Sequence, residues 1–269
     1  MALTDSLVSY WKLDESSGDA SDATANVKTL TNTGTTTYAA AKINNGADFG
    51  TANTTKYLSR TGYIVSDGAL SFSLWIKQRT EISSGTQTFI MCGSESTALT
   101  LSYDYNAGTR RLQLIRERNN LSSATINYTI TLGTSNFYHI VGSYNGSLII
   151  LYVNGTAVST ASSSLNGTTN WSPGGGYFVL GAKRDANDGT VSSYSSSYID
   201  EVAVYSRAIT DSEVSSLYNI GYGATYPFTG YSMTTDSGTF SLSNKTANIR
   251  YGNLSNLPKP TNTINNVAK

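Results

Sequence analysis

The sequence predicts an all-β fold, an antiparallel β-sandwich, and three observations lead there. Short runs of alternating apolar and polar residues recur from Leu7 to Tyr205. Two Asn-Gly turns bracket one of these runs, at Asn145-Gly146 and Asn154-Gly155. A single short helix is specified, with none of the strand–helix–strand rhythm of a parallel sheet.

The elements follow in order. Leu7-Val8-Ser9-Tyr10-Trp11-Lys12-Leu13 alternates and reads as the first strand, and Asp14 to Asp22 forms an acidic, turn-rich loop. Residues 28–39 are Thr-rich with little apolar content, which predicts loop or a weak edge strand. Ala47-Asp48-Phe49 and Tyr57-Leu58-Ser59 are short strands. In Leu70–Lys77, Leu70, Phe72, Leu74 and Ile76 share one face, and Ser71, Ser73, Trp75 and Lys77 share the other. Thr88–Cys92, Leu99–Tyr103, Arg111–Arg116, Ile126–Leu132 and Phe137–Ser143 continue the pattern. Leu148–Val153 runs between the Asn-Gly turns, which both read as type I′, so a three-stranded meander is expected. Residues 159–176 form a Ser/Gly-rich loop containing Trp171, and Tyr177–Gly181 resumes the sheet after it. A polar loop, 183–197, leads to Tyr198–Tyr205.

The helix start is well defined. Thr210 can cap it, Glu213 can reach back to the cap N–H, and Ile209 can pack on Val214. That is a capping box with a hydrophobic staple. A helix this short has no stability of its own, so Val214, Leu217 and Tyr218 must lie on a larger body.

Composition narrows the function. Across 269 residues the net charge is zero and 13% are charged, so there is no basic field for nucleic acid or anionic lipid. No apolar run approaches the roughly 20 residues that span a bilayer. The N-terminus lacks the basic and apolar regions of a signal peptide. Cys92 is the one cysteine and His139 the one histidine. Both sit in apolar strands, and both read as structural. Tyr outnumbers Phe 19 to 7. With abundant Ser, Thr, Asn and Gly, this suits the surface of an extracellular or virion-exposed β protein.

Taken as a set, several segments carry a resemblance. Leu7–Glu15 with Gly18 and Asp22, Ser71–Lys77 (S-x-S-x-W-x-K), Tyr144–Ser147, Leu151–Gly155 (L-Y-V-N-G), Leu180-Gly181 and Tyr198–Tyr218 stand in the order found in laminin-G-like domains. The chain from about residue 5 to 220 resembles that branch of the concanavalin A-like lectin/glucanase superfamily. The resemblance implies a jelly roll over residues 1–222, one short C-terminal helix, and an extended tail, residues 223–269. It leaves function open, because the fold hosts lectins, hydrolases and purely structural domains.

Three chemistries follow as expectations. Hydrolases of this fold carry Glu-x-Asp-x-Glu on one strand, a triplet missing from this sequence. The adjacent acids Asp14-Glu15 and Asp200-Glu201 point to opposite faces if extended, so the chain reads as a non-enzyme. Many relatives bind calcium at the sandwich rim, and Asp14, Asp22 and Asp200 are the candidate ligands. The alternatives are turn-capping for the aspartates and an ion pair from Glu201 to Arg207. Glycan binding would use exposed aromatics in or beside rim loops: Trp171, Tyr177, Tyr194 and Tyr198. Trp11 and Trp75 read as core or sheet-edge residues.

Residues 223–269 contain two candidate small strands and a polar end without hydrophobic period. Such an end is disordered in a free monomer. Its ordering requires something to hold it, most simply a neighbouring subunit of an assembly. The first expectation is therefore a non-catalytic structural or decoration subunit of a phage-like virion, with rim loops that touch glycans. The alternative is a carbohydrate-binding or adhesion module of a secreted bacterial protein, and a glycoside hydrolase is the distant third.

Overall fold

In the computed structural model, residues 2–51, 55–62, 64–65, 68–94, 97–118, 122–162, 176–185 and 189–228 are described. The strands are β1 (Leu7–Trp11), β2 (Thr31–Thr33), β3 (Thr37–Ala40), β4 (Asn45–Asp48), β5 (Tyr57–Thr61) and β6 (Leu70–Gln78). Then come β7 (Gly85–Ser94), β8 (Thr97–Asn106), β9 (Thr109–Arg118), β10 (Ser122–Thr129), β11 (Tyr138–Tyr144) and β12 (Leu148–Val153). The last are β13 (Thr156–Ser162), β14 (Tyr177–Leu180), β15 (Lys183–Arg184), β16 (Val191–Ser192) and β17 (Ser197–Tyr205), followed by helix α1 (Asp211–Tyr218).

Two antiparallel sheets make the sandwich. The eight-stranded sheet runs β13-β12-β11-β6-β17-β4-β3, with β1 also on β17; the seven-stranded sheet runs β10-β9-β8-β7-β14-β5-β2. The Thr-rich stretch supplies β2 and β3, both at sheet edges, as its weak apolar pattern implies. The alternation of β6 holds: Leu70, Phe72, Leu74 and Ile76 are core, and Trp75 lies on the opposite face. Across the interior these residues meet Phe89, Leu99, Leu101, Leu112, Leu114, Phe178 and Leu180. Each fully buried aliphatic or aromatic side chain contributes about 1.5–3 kcal/mol. Trp11 is buried and stacks on Phe178 with ring centroids 4.7 Å apart. Gly142 is required by close approach, since a Cβ there would lie 2.4 Å from the Phe72 ring.

The β11-β12-β13 meander forms as expected, but its two turns differ. Asn154 and Gly155 both have positive φ, 48° and 81°, as a type I′ turn needs. At the first turn only Gly146 does, because Asn145 sits one place earlier. There its Oδ1 accepts from the Ser147 and Leu148 amides instead, at 3.0 and 2.8 Å.

Helix α1 has the expected cap. Thr210 Oγ1 accepts from the Glu213 amide at 3.4 Å, and Glu213 Oε2 accepts from the Thr210 amide at 2.8 Å. Ile209, Val214 and Leu217 pack on Tyr10, Val141, Tyr152, Ala203 and Tyr205, forming a second core on the outer face of the eight-stranded sheet.

The alternation of β17 breaks at Asp200 and Glu201. One flank of the strand pairs with β4 through Tyr198 and Ile199, then with β1 through Val202 to Tyr205. The two acids fall at this handover, in a β-bulge where Glu201 has φ 51°. Ile199 and Val202 both enter the core, so the acids between them share the outer side. The expectation of opposite faces is corrected here: the extra bulge residue cancels one step of the alternation.

Residues Met1–Phe228 form one compact unit. Tyr226 and Phe228, which belong to the expected extension, pack on Tyr10 with centroids 5.7 and 5.4 Å away. Residues 229–269, the part expected to dock on a neighbouring subunit, lie outside the described residues. Among the described residues, no helix is long and apolar enough to cross a membrane.

Candidate functional site

The outer face of the seven-stranded sheet combines an apolar floor, an aromatic rim and a polar row. Alternation points Val179 of β14, Met91 of β7 and Ala98 of β8 outward, and with Ala182 they form a buried cluster. The β15–β16 hairpin lies beside them and contributes Val191. Tyr57, Tyr177 and Tyr194 are partly buried against this floor. The rings of Tyr57 and Tyr194 are 6.4 Å apart and tilted by 40°. The Arg184 guanidinium lies 4.2 Å from the Tyr177 ring centroid, within cation–π range.

The polar row crosses four strands in register: Thr88 pairs with Ser102, Ser102 with Gln113, and Gln113 with Asn127. Thr88 and Ser102 hydroxyls are 3.1 Å apart, and Gln113 Nε2 donates to Asn127 Oδ1 at 2.8 Å. Asp104 accepts from Arg111 at 2.9–3.1 Å one row away. Thr88 and Ser102 are buried, so the end of the row open to a ligand is the Gln113–Asn127 amide pair, whose donors and acceptors, on a face with half-exposed rings, match what sugar hydroxyls and pyranose faces present.

Of the residues expected to bind glycans, Tyr177 and Tyr194 come together here. Tyr198 does not: it lies on β17 of the other sheet. Lys77 Nζ sits 4.7 Å and the Arg79 guanidinium 5.4 Å from its ring, and Asp48 holds Arg79 at 2.6 Å. Trp171 lies outside the described residues. Tyr57 and Arg184 were not among the expected residues. Tyr57 had a readable signal, since Leu58 beside it must face the core. Arg184, inside a polar loop, had none.

Each of the three aspartates expected to hold calcium accepts at least one backbone hydrogen bond. Asp22 accepts from the Tyr10, Thr24 and Lys28 amides at 2.9–3.1 Å, closing its own loop onto β1. Asp14 accepts from the Asn45 amide at 3.0 Å and from Asn44 Nδ2 at 3.3 Å. Asp200 accepts from the Ile43 amide at 2.8 Å. Asp14 and Asp200 thus clamp the 43–45 turn between them. Among the described residues, no set of three carboxylate, imidazole or thiol side chains is arranged to hold a metal ion.

The remaining acids are structural by geometry. Glu201 does not pair with Arg207, as expected from sequence. Arg207 instead grips Glu213 through two contacts of 2.6 and 2.8 Å, which hold the Glu213 carboxyl down at about 2. Glu201 meets the Tyr10 hydroxyl, which also lies 3.0 Å from the Ala224 carbonyl. Burial pushes Glu201 up to about 7 and Asp200 to about 8, with the Glu201 charge adding to the latter. Asp200 is 0% and Glu201 3% exposed, which denies a substrate access to either. His139 is likewise sealed: its Nε2 meets Ser73 Oγ at 2.8 Å, its ring packs beside those of Trp75 and Tyr218, and burial lowers it to about 3. Cys92 is buried, and burial pushes its thiol well up, away from reactivity.

Comparison with known proteins agrees with this architecture. A family model described as the concanavalin A-like lectin/glucanases superfamily, of laminin G type, matches residues 49–215. No curated protein sequence matches the chain. Among solved structures, the chain is similar to the botulinum neurotoxin serotype G binding domain: TM-score 0.60, 14% identity, 80% of this chain and 51% of that one. The binding domain of botulinum neurotoxin DC in complex with SialylT gives TM-score 0.62 and 12% identity over 81% and 52%. The binding domain of Paraclostridial Mosquitocidal Protein 1 gives 0.60 and 16% over 81% and 53%. At these identities the likeness is one of fold, and the chain spans about half the length of each of these structures.

Proposed function

Since the chain belongs to the concanavalin A-like lectin/glucanase superfamily, in its laminin G branch, we propose that it is a non-catalytic carbohydrate-binding module whose site is the outer face of the seven-stranded sheet. The observation that carries this reading is the gathering of the half-buried Tyr57, Tyr177 and Tyr194 on a sheet face that also carries the exposed Gln113–Asn127 amide pair. The rings offer stacking surface, and the Gln113–Asn127 pair offers amide donors and acceptors. A structural neighbour solved with SialylT supports glycan recognition on this general fold. The inaccessibility of Asp200 and Glu201 favours binding over hydrolysis.

The test is a printed glycan array probed with the full chain and with Tyr194→Ala. Binding to a defined subset of glycans, weakened at least about fivefold in the variant, is expected for one lost ring contact. No retained glycan at any concentration, with the protein folded, overturns the reading.

A further inference from the structure

Arg184 stands apart from the other arginines of known pairing. Arg79, Arg110, Arg111 and Arg207 are each paired with a carboxylate, and Lys183 next to it reaches Glu117 at 3.9 Å. No carboxylate among the described residues pairs with Arg184. Its Nε is buried and without a hydrogen-bond partner, so any outside partner must meet the guanidinium at its two terminal nitrogens.

The guanidinium is nonetheless held in place. It sits 4.2 Å from the Tyr177 ring centroid, within cation–π range. Across the hairpin, Gly189 (φ 75°) leaves it room, because a Cβ there would come within 3.0 Å of the Arg184 Nη2. Arg184 also pairs in register with Val191, which packs on the floor of the candidate face. A planar fork of N–H donors, held against the Tyr177 ring and without a carboxylate partner among the described residues, is suited to bidentate capture of an oxyanion. Stacking also removes part of the rotamer entropy that a free arginine would lose on binding.

We propose that Arg184 is the anion-recognition residue of this face, and that the glycan bound there carries an oxyanion, a carboxylate or a sulfate. The proposal rests on the carbohydrate-binding reading and narrows it to acidic sugars. Tyr177 acts as the platform for the guanidinium, so Tyr194 and Tyr57 are left to contact the ring of the sugar.

The experiment uses the full chain on an array of matched neutral, carboxylated and sulfated glycans, with Arg184→Gln and Arg184→Lys alongside and melting curves for all three proteins. The wild type should retain acidic glycans in preference to their neutral counterparts. Arg184→Gln should lose roughly tenfold or more of that binding, the scale of a charge-assisted hydrogen bond, at an unchanged melting temperature. Arg184→Lys, which keeps the charge without the fork, should recover part of the sulfate binding and less of the carboxylate binding. The carboxylated and sulfated arms identify which oxyanion is taken. Equal retention of neutral and acidic glycans, or full acidic binding by Arg184→Gln, overturns this proposal while leaving the carbohydrate reading intact. No binding to any glycan overturns both.

Discussion

The outer faces of the two sheets are built from the same alternating pattern and end up with opposite characters. On the eight-stranded sheet the face is closed: α1 lays Ile209, Val214 and Leu217 over Tyr10, Val141, Tyr152 and Tyr205. Its polar groups are locked in pairs, Ser71 with Ser143, Ser73 with His139, and Tyr152 with Asp211, each at 2.8 Å. On the seven-stranded sheet a two-stranded hairpin is the cover, three tyrosines stay half-buried, and the Gln113–Asn127 pair is exposed. The covering element decides the outcome. A capped helix brings three apolar side chains and makes a second core, whereas a short hairpin leaves rings and amides at the surface.

Removing the helix contact is the harshest test of that contrast. Leu217 is 3% exposed, so Leu217→Ala should cost about 2–5 kcal/mol, the range for a buried leucine. Urea denaturation measures it directly. A loss under about 1 kcal/mol would mean that α1 merely rests on the sheet, and the second core would not be one.

A pH dependence confined to the closed face tests the same contrast. Asp200 and Glu201 are held at about 8 and 7 by burial, against ordinary carboxylate values near 4. Between roughly pH 4 and 7 the unfolded chain has released both protons while the folded chain keeps them. Unfolding therefore releases protons, and stability falls as pH rises, by up to about 1.4 kcal/mol per pH unit for each group. Glu213, held at about 2 by Arg207, acts in the opposite sense. Its contribution is complete above the unfolded carboxylate range and is lost as pH falls towards 2. Urea midpoints from pH 3 to 8 should thus peak near the ordinary carboxylate range. Asp200→Asn and Glu201→Gln should each flatten the decline on the alkaline side, and Glu213→Gln the decline on the acid side. A wild-type profile flat between pH 5 and 8 would show that neither buried acid holds its proton in the folded state.

Much of the closed face was legible in the sequence. Thr210, Glu213 and Ile209 announce the helix through local geometry, and β6 announces its two faces by strict alternation. What escaped depends on distant chain. The bulge at Asp200 and Glu201 arises because β17 changes neighbour from β4 to β1, and nothing local to those residues records it. Arg207 lies six residues from both Glu201 and Glu213, so spacing alone could not choose its partner. The helix turn brings Glu213 round to it, and the bulge directs Glu201 to Tyr10. The open face was half legible. Tyr177 and Tyr194 follow from their places beside loops. Tyr57 and Arg184 join them only through the β5–β14 pairing and the β15–β16 hairpin, both fixed by residues far apart in the chain.

The smallest expected change in stability sharpens the comparison most, because it falls where binding should change. Gln113 is half-buried and spends its amide on exposed Asn127, so Gln113→Ala should shift stability by no more than about 0.5 kcal/mol. The same substitution removes a donor and an acceptor from the centre of the polar row. Binding to the glycan identified on the array should weaken roughly two- to tenfold, the scale of one neutral hydrogen bond. Urea denaturation and a titration on the same preparation separate the two quantities. A stability loss matching that of Leu217→Ala would make this face a packed surface like the other. Unchanged binding would remove the polar row from the site and leave recognition to the tyrosines alone.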